Sequence, residues 1–296
     1  MIALAEYNQD PYDIDARKVT FDEIYSKWSK EKYRIGRDDQ ASKALIDGYT
    51  TAYNNSKPLY ELAFNEIRAH HMQDVIDTSG LGYSSNNRLN SLFNQMYAYA
   101  RKRDVVEKDY SEFVKVPADN KPSSKKPFTD DEIEILWDNV DKYELADATL
   151  IMIYTGLRVS ELLTTVDKKD INLDDRFLTG GLKTDAGKNR VVPLNKKIVP
   201  LIEKRKNSKD KHLFVNSRGD RMTYQIFRRR WAPMMKELGL DHTIHECRHT
   251  FGTLMDNANA NKVSIKRIMG HVISDVTDGV YTHKDLEQLL IAIDLI

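Results

Sequence analysis

Residues 177–194, FLTGGLKTDAGKNRVVPL, read as β in a chain whose other patterned segments read as helix. Two largely apolar runs, 177–183 and 189–194, flank the polar TDAGK, a strand–turn–strand signal. Helical spacing of apolar residues surrounds them, over 129–142, 144–155 and 158–165 before the hairpin. It resumes at 196–206, 223–238, 245–257, 262–269 and 284–293. Thr129 and Glu132 form a capping box that starts the first of these helices. The C-terminal part is therefore expected to be a mixed domain, and the fold class mainly α with a small β component.

Upstream, residues 116–127 read VPADNKPSSKKP, without periodicity and rich in Pro, Ser and Lys, which is a linker composition. Before it, helical stretches near 39–54, 58–77 and 85–103 follow a first helix capped by Thr20 with Glu23 three residues on. Leu89, Leu92, Phe93, Met96 and Tyr97 recur at helical spacing in the last stretch. The reading gives a leader at 1–17, a helical domain at 18–115, a linker at 116–127 and a mixed domain at 128–296 ending in a tail helix. The leader looks like the end of a preceding segment.

At 296 residues, two domains are favoured over one. With 41% hydrophobic and 30% charged residues the chain is neither disordered nor of low complexity. No apolar stretch approaches a membrane span, and Glu6 and Asp10 do not suit a signal peptide. The lone Cys247 excludes an internal disulfide and fits a reducing cytoplasm. The net charge of zero hides an asymmetry: residues 181–230 hold 15 Lys/Arg against 4 Asp/Glu, while 131–180 sum to −7. A local basic field of that kind suits phosphate, because charge acts over a Debye length of about 8–10 Å. On charge alone, a merely solvated basic face is the better reading of it.

Four clusters carry groups suited to phosphate chemistry. In TGLRVSELL, Arg158 and Glu161 stand three apart on one helical face. Lys183 ends a strand before the turn. In HECRHTFG, His245 and Arg248 are again three apart. In MGHVISDVTDGVYTH, His271 follows Gly270 and precedes Tyr281 by ten residues. Singly, each reads better as an ion pair, a solvated lysine, a core histidine or a packing tyrosine.

As an ordered set, Arg, Lys, His-x-x-Arg, His and Tyr, they resemble the tyrosine recombinase (phage integrase) family. The resemblance runs over about 150–283, and the leader and the TDAGKNR hairpin look most like integrases of conjugative transposons. It implies a helical core-DNA-binding domain followed by a catalytic domain of the tyrosine recombinase type. Relatives of that kind usually carry a further N-terminal domain for arm-type DNA sites. No counterpart of it is recognised here, so the resemblance extends to strand cleavage and not to accessory-site binding.

The resemblance implies Tyr281 as nucleophile, Arg158 and Arg248 as a planar grip on the phosphate, and Lys183 as general acid to the 5′ oxygen. It implies His245 as an aid to proton transfer, His271 as a phosphate hydrogen-bond donor, and Glu161 as a group that orients Arg158. Chemistry agrees: a phenol of pKa ~10 needs help to ionise, guanidiniums stabilise developing phosphate charge, and lysine lowers its pKa among cations. Lys188 competes with Lys183 for the acid role. The product is a 3′-phosphotyrosine that a second 5′ hydroxyl resolves, so neither ATP nor a metal or other cofactor is implied. The partners implied are double-stranded DNA with specific recombination sites and further copies of this chain, four on two sites around a Holliday junction. Accessory excision or DNA-bending proteins are also implied, in a bacterial cytoplasm and without a membrane. Lys121, Lys125 and Lys126 in the linker, with Lys188, Arg190, Arg228, Arg229 and Arg230 in the basic stretch, are expected to contact DNA. The apolar tail, LEQLLIAIDLI, is expected to dock on its own domain or on a neighbouring copy.

Three other readings compete. HECRHTFG contains a literal H-E-x-x-H, the helix of zinc peptidases, with His245 and His249 as ligands and Glu246 as base. Where the longer form of that motif wants a third ligand there is Met255, and the reading leaves Arg158, Lys183 and Tyr281 unexplained. A type IB topoisomerase would use the same phosphotyrosine to relax DNA rather than recombine it. A DNA-binding protein without catalysis would leave the filled catalytic positions without a purpose.

Overall fold

A computed structural model of the chain describes residues 19–118, 126–181, 190–271 and 283–296. Residues 1–17, Lys121, Lys125, Lys183, Lys188 and Tyr281 lie outside the described residues. The chain divides into two units, Met1–Pro122 and Ser123–Ile296.

In the first unit, helix α1 (Phe21–Tyr33) starts where Thr20 Oγ1 accepts from the Glu23 N–H at 3.2 Å, and the Glu23 carboxylate accepts from the Thr20 N–H at 3.1 Å. Ser42 caps α2 (Lys43–Asn54). Residues 58–77, expected as a single helix, break into short 3-10 turns at Lys57–Leu59 and Phe64–Glu66 before α3 (Ala69–Thr78). The reason is tertiary. Leu62 O accepts from Phe21 N at 3.0 Å and Phe64 N donates to Val19 O at 2.8 Å, so the chain entering α1 takes groups that a helix would use itself. The long α4 (Tyr83–Arg101) lays Leu89, Leu92, Phe93, Met96 and Tyr97 into a core shared with Phe21, Trp28 and Phe64.

The second unit is built around α6 (Ala146–Thr155), which follows α5 (Asp130–Asp138) and is buried at every position. A helix apolar on all sides belongs in a core. Its one acid, Asp147, is neutralised by Arg205, whose Nε and Nη2 donate at 2.6 and 2.9 Å. Gly156 ends α6 at φ +65°, and the short α7 (Val159–Thr164) follows. Among the described residues the strands form one antiparallel sheet in the order β1 (Ile171–Asn172), β2 (Phe177–Gly180), β3 (Arg190–Pro193). The hairpin pairs Leu178 with Val192 and Gly180 with Arg190, and β1 is an edge too short to show in the sequence pattern. Then come α8 (Val199–Lys206), α9 (Tyr224–Glu237), α10 (Glu246–Asn257), α11 (Lys262–Met269) and α12 (His283–Ile293). Helix α10 packs on α6, and α11 and α12 pack on β3.

The tail helix docks on its own unit. Leu289, Ala292 and Ile293 are buried in the unit's core, and Asp294 accepts a two-pronged pair of hydrogen bonds from Arg176, both at 2.9 Å. Asn195 Nδ2 donates to the Ile293 and Ile296 carbonyls at 2.7 and 2.8 Å, which closes the helix end. Of the described helices, none is long and apolar enough to cross a membrane.

Candidate active site

The ends of α6 and α11 and the starts of α7, α10 and β3 meet at a cluster of guanidiniums. Gly156 turns the chain out of α6, and its carbonyl accepts from Arg248 Nη1 at 2.6 Å. Two residues on, Arg158 caps α7. Glu161, at the third position of that helix, reaches back to the Arg158 N–H at 2.8 Å and accepts from Arg158 Nη1 at 3.1 Å. Only 1% of the Glu161 side chain is exposed, against 28% of Arg158. Arg190 meets Glu161 fork to fork, Nη1 to Oε1 at 3.0 Å and Nη2 to Oε2 at 3.1 Å. This geometry is the strong, directional form of an ion pair.

Arg248 projects from α10 and is buried. Its Nη2 donates to Met269 O at 2.7 Å and to His271 Nε2 at 3.0 Å. That assigns the His271 proton to Nδ1 and leaves the ring neutral. Electrostatics agree: burial, then the charges of Arg248, Arg158, Arg190 and Lys266, hold His271 below the usual imidazole range. Burial, helped by Arg158 and Arg190, lowers the Arg248 pKa to about 10, so it stays protonated at neutral pH. Burial works to raise the Glu161 carboxyl, but hydrogen bonds and charge from Arg190 and Arg158 outweigh it, and the group stays ionised. Among the described residues, Arg158 and Arg190 thus share the Glu161 carboxylate, and Arg248 stands beside a neutral imidazole. Guanidiniums so placed are suited to an oxyanion such as a phosphodiester.

The sequence profile of the phage integrase family matches residues 126–288, more than half of the chain. The chain belongs to the phage integrase family. It is similar to the tyrosine recombinase XerC of Pelobacter propionicus, 33% identical over 159 residues that make up 51% of each chain. It thus spans about half the length of that curated relative. Its fold is that of the Tn1549 transposon integrase solved in complex with circular intermediate DNA, at TM-score 0.71 and 21% identity, covering 91% of this chain and 98% of that one. It is also that of the lambda integrase solved as a tetramer bound to a Holliday junction, at TM-score 0.68 and 15% identity, covering 86% and 80%.

Of the positions that carry the integrase resemblance, Arg158, Glu161, Arg248 and His271 are gathered in this cluster. His245 stands exposed at the start of α10, its ring edge-on to His249 at 4.9 Å between centroids. Among the positions expected to contact DNA, Lys126, Arg228 and Arg229 are exposed, and Arg230 pairs with Glu144 at 2.8 Å. Arg190 is a correction. Expected as a DNA contact, its side chain is 1% exposed, pinned to Glu161 and donating through Nε to Ile268 O at 2.9 Å. Strand alternation holds the missed signal, since Arg190 shares a face with the fully buried Val192.

The H-E-x-x-H phrase folds into something other than a peptidase base. Glu246 accepts from the Thr243 and Lys126 backbone N–H groups at 2.6 and 3.1 Å, and it faces His242 Nδ1 at 3.3 Å. Its carboxylate closes the first turn of α10. Among the described residues no three His, Cys, Asp or Glu side chains are grouped to hold a metal ion.

Proposed function

We propose that the chain is a site-specific DNA recombinase, the integrase of a mobile element, which cuts and rejoins DNA through a phosphotyrosine at Tyr281. The observation that supports this reading best is the cluster in which, among the described residues, Arg158 and Arg190 share Glu161 and Arg248 donates to neutral His271. A scissile phosphate brings negative charge to these guanidiniums. Arg158 and Arg248 hold its non-bridging oxygens and stabilise the charge that develops as the phosphorus becomes five-coordinate. His271, neutral with Nδ1–H, serves as a donor.

In the first step the Tyr281 oxygen attacks phosphorus, its proton leaving with the help of His245. The P–O5′ bond breaks and the 5′ oxygen takes a proton from the Lys183 ammonium. A 3′-phosphotyrosine and a free 5′ hydroxyl result. In the second step a 5′ hydroxyl from another duplex gives its proton to the neutral Lys183 amine and attacks the same phosphorus, and the bond to Tyr281 breaks as its oxygen regains a proton with the help of His245. Each phosphoester bond that breaks is replaced by another, so the cycle calls for no ATP and no cofactor. The first unit serves as the core-DNA-binding domain, with the Lys-rich linker and α9 adding phosphate contacts. Four copies assemble on two sites through a Holliday junction, with accessory DNA-bending or excision proteins setting direction, in the bacterial cytoplasm. The tail helix, seated here on its own unit, leaves Ile291 exposed to a neighbouring copy.

The test is a covalent trap. A duplex selected from a randomised pool by binding to this chain is nicked so that a short fragment escapes on cleavage, then incubated in EDTA without ATP. A denaturation-resistant protein–DNA band that disappears in Tyr281→Phe is the expected result. A bound duplex that yields no band refutes the reading, and relaxation of a circle without joining of two sites would favour a topoisomerase.

A further inference from the structure

Arg190 sits where three segments of the site converge, and the reaction outlined above gives it no part. Its bidentate pair with Glu161 ties β3 to the start of α7. Its Nε bond to Ile268 O ties β3 to the end of α11. Gly270 closes over it: a Cβ at that position would lie 3.1 Å from Arg190 Cδ and 3.2 Å from Nε, and Gly270 at φ +67° immediately precedes His271. Glu161 in turn holds both the backbone and the guanidinium of Arg158. A buried guanidinium at such a junction costs several kcal/mol of hydration, which its fork on Glu161 offsets only while the geometry is kept. That requirement makes it a fixed reference for its neighbours.

We propose that Arg190 is a positioning residue for strand cleavage, which sets Arg158 through Glu161 and sets His271 through the backbone at Ile268–Gly270. The inference rests on the recombinase reading. The role differs from the phosphate contact that the basic stretch suggested, because a contact acts on affinity whereas positioning acts on the chemical step. Displacing reacting groups by about 1 Å lowers rate by about a hundredfold without weakening ground-state binding.

The test compares the wild type, Arg190→Met, Glu161→Gln and the Arg190→Met/Glu161→Gln double variant on the nicked duplex, with Tyr281→Phe as the blank. Three quantities are read: DNA affinity with its salt slope, the single-turnover rate of adduct formation, and the thermal midpoint without DNA. Arg190→Met is expected to cut the adduct rate by about a hundredfold while affinity and salt slope stay within about twofold. It is also expected to lower the thermal midpoint, because Glu161 loses half of its neutralisation. The double variant removes that unpaired charge and is expected to regain thermal stability but not rate.

Recovery of rate together with stability would reduce Arg190 to a structural role and overturn the proposal. So would a loss of affinity and a shallower salt slope, the signature of a phosphate contact. An undiminished adduct in Arg190→Met removes the role of Arg190 alone. A wild-type chain that binds the duplex and forms no adduct removes the recombinase reading and this proposal with it.

Discussion

Replacing Gly156 by alanine tests whether the turn that delivers Arg158 tolerates any side chain. Gly156 has φ +65°, and a Cβ built on it falls 2.6 Å from Phe251 Cδ1 and 3.0 Å from Cε1 and Cγ. Phe251 is fully buried in the core where α6 and α10 pack, so moving its ring disturbs close-packed neighbours. The left-handed backbone costs an alanine about 1–2 kcal/mol. Forcing a methyl into the ring adds about 1–3 kcal/mol, for a total of about 2–5 kcal/mol. Of the three tryptophans, Trp137 and Trp231 lie in the second unit, so a Trp28→Phe background makes fluorescence report that unit alone. With a urea slope of about 2 kcal/mol/M, the midpoint should fall by about 1–2.5 M. Gly239→Ala is the control, because Gly239 has φ +71° and nothing within 4 Å of its would-be Cβ. It should show only the backbone cost, a shift of about 0.5–1 M. Equal shifts in the two variants would refute the claim that Phe251 forbids a side chain at Gly156.

Four further outcomes are expected. His242, 2% exposed, bridges Glu132 at 3.0 Å and Glu246 at 3.3 Å, so His242→Leu should destabilise the second unit by about 2–3 kcal/mol at pH 7, read by urea unfolding. The loss should shrink as acid protonates both carboxyls. Ile293→Ala should cost about 2–5 kcal/mol independently of protein concentration, because α12 is seated on its own unit; a concentration-dependent cost would mean that the tail docks on another copy. Since His271 titrates below its unfolded value of about 6.5, the unfolded chain binds its proton first, and stability should fall as pH drops from about 6.5 through the folded pKa. That slope should be absent in His271→Gln. Arg228→Gln with Arg229→Gln should reduce the salt slope of DNA binding by about 2, while Arg230→Gln, already paired with Glu144, should change it less.

Local rules carried far along this chain. Capping boxes at Thr20 and Thr129 start helices in the structure because the side chains that satisfy the first N–H groups lie within three residues of them. The hairpin was legible from the polar turn between apolar runs, and α11 (Lys262–Met269) from its spacing. Residues 58–77 were not legible as they fold, because distant groups near Val19 and Phe21 compete for their backbone. Glu246 illustrates the same limit. A five-residue phrase suggested a metal-site base, yet its carboxylate is taken by Thr243, Lys126 and His242.

Residue type and short spacing were enough to read most of the helices, the β2–β3 pairing, the resemblance that assigns a role to Tyr281, and the pairing of Arg158 with Glu161. Where each arginine lies was settled by packing alone. Arg190 and Arg228 look alike in a basic stretch, but one is clamped on a buried carboxylate and the other is exposed. Burial is set by elements far apart in the chain, here β3, α7 and α11 closing on one guanidinium. The strength of a charge depends on that burial, because the same guanidinium is screened by water at the surface and fixed by its partners inside.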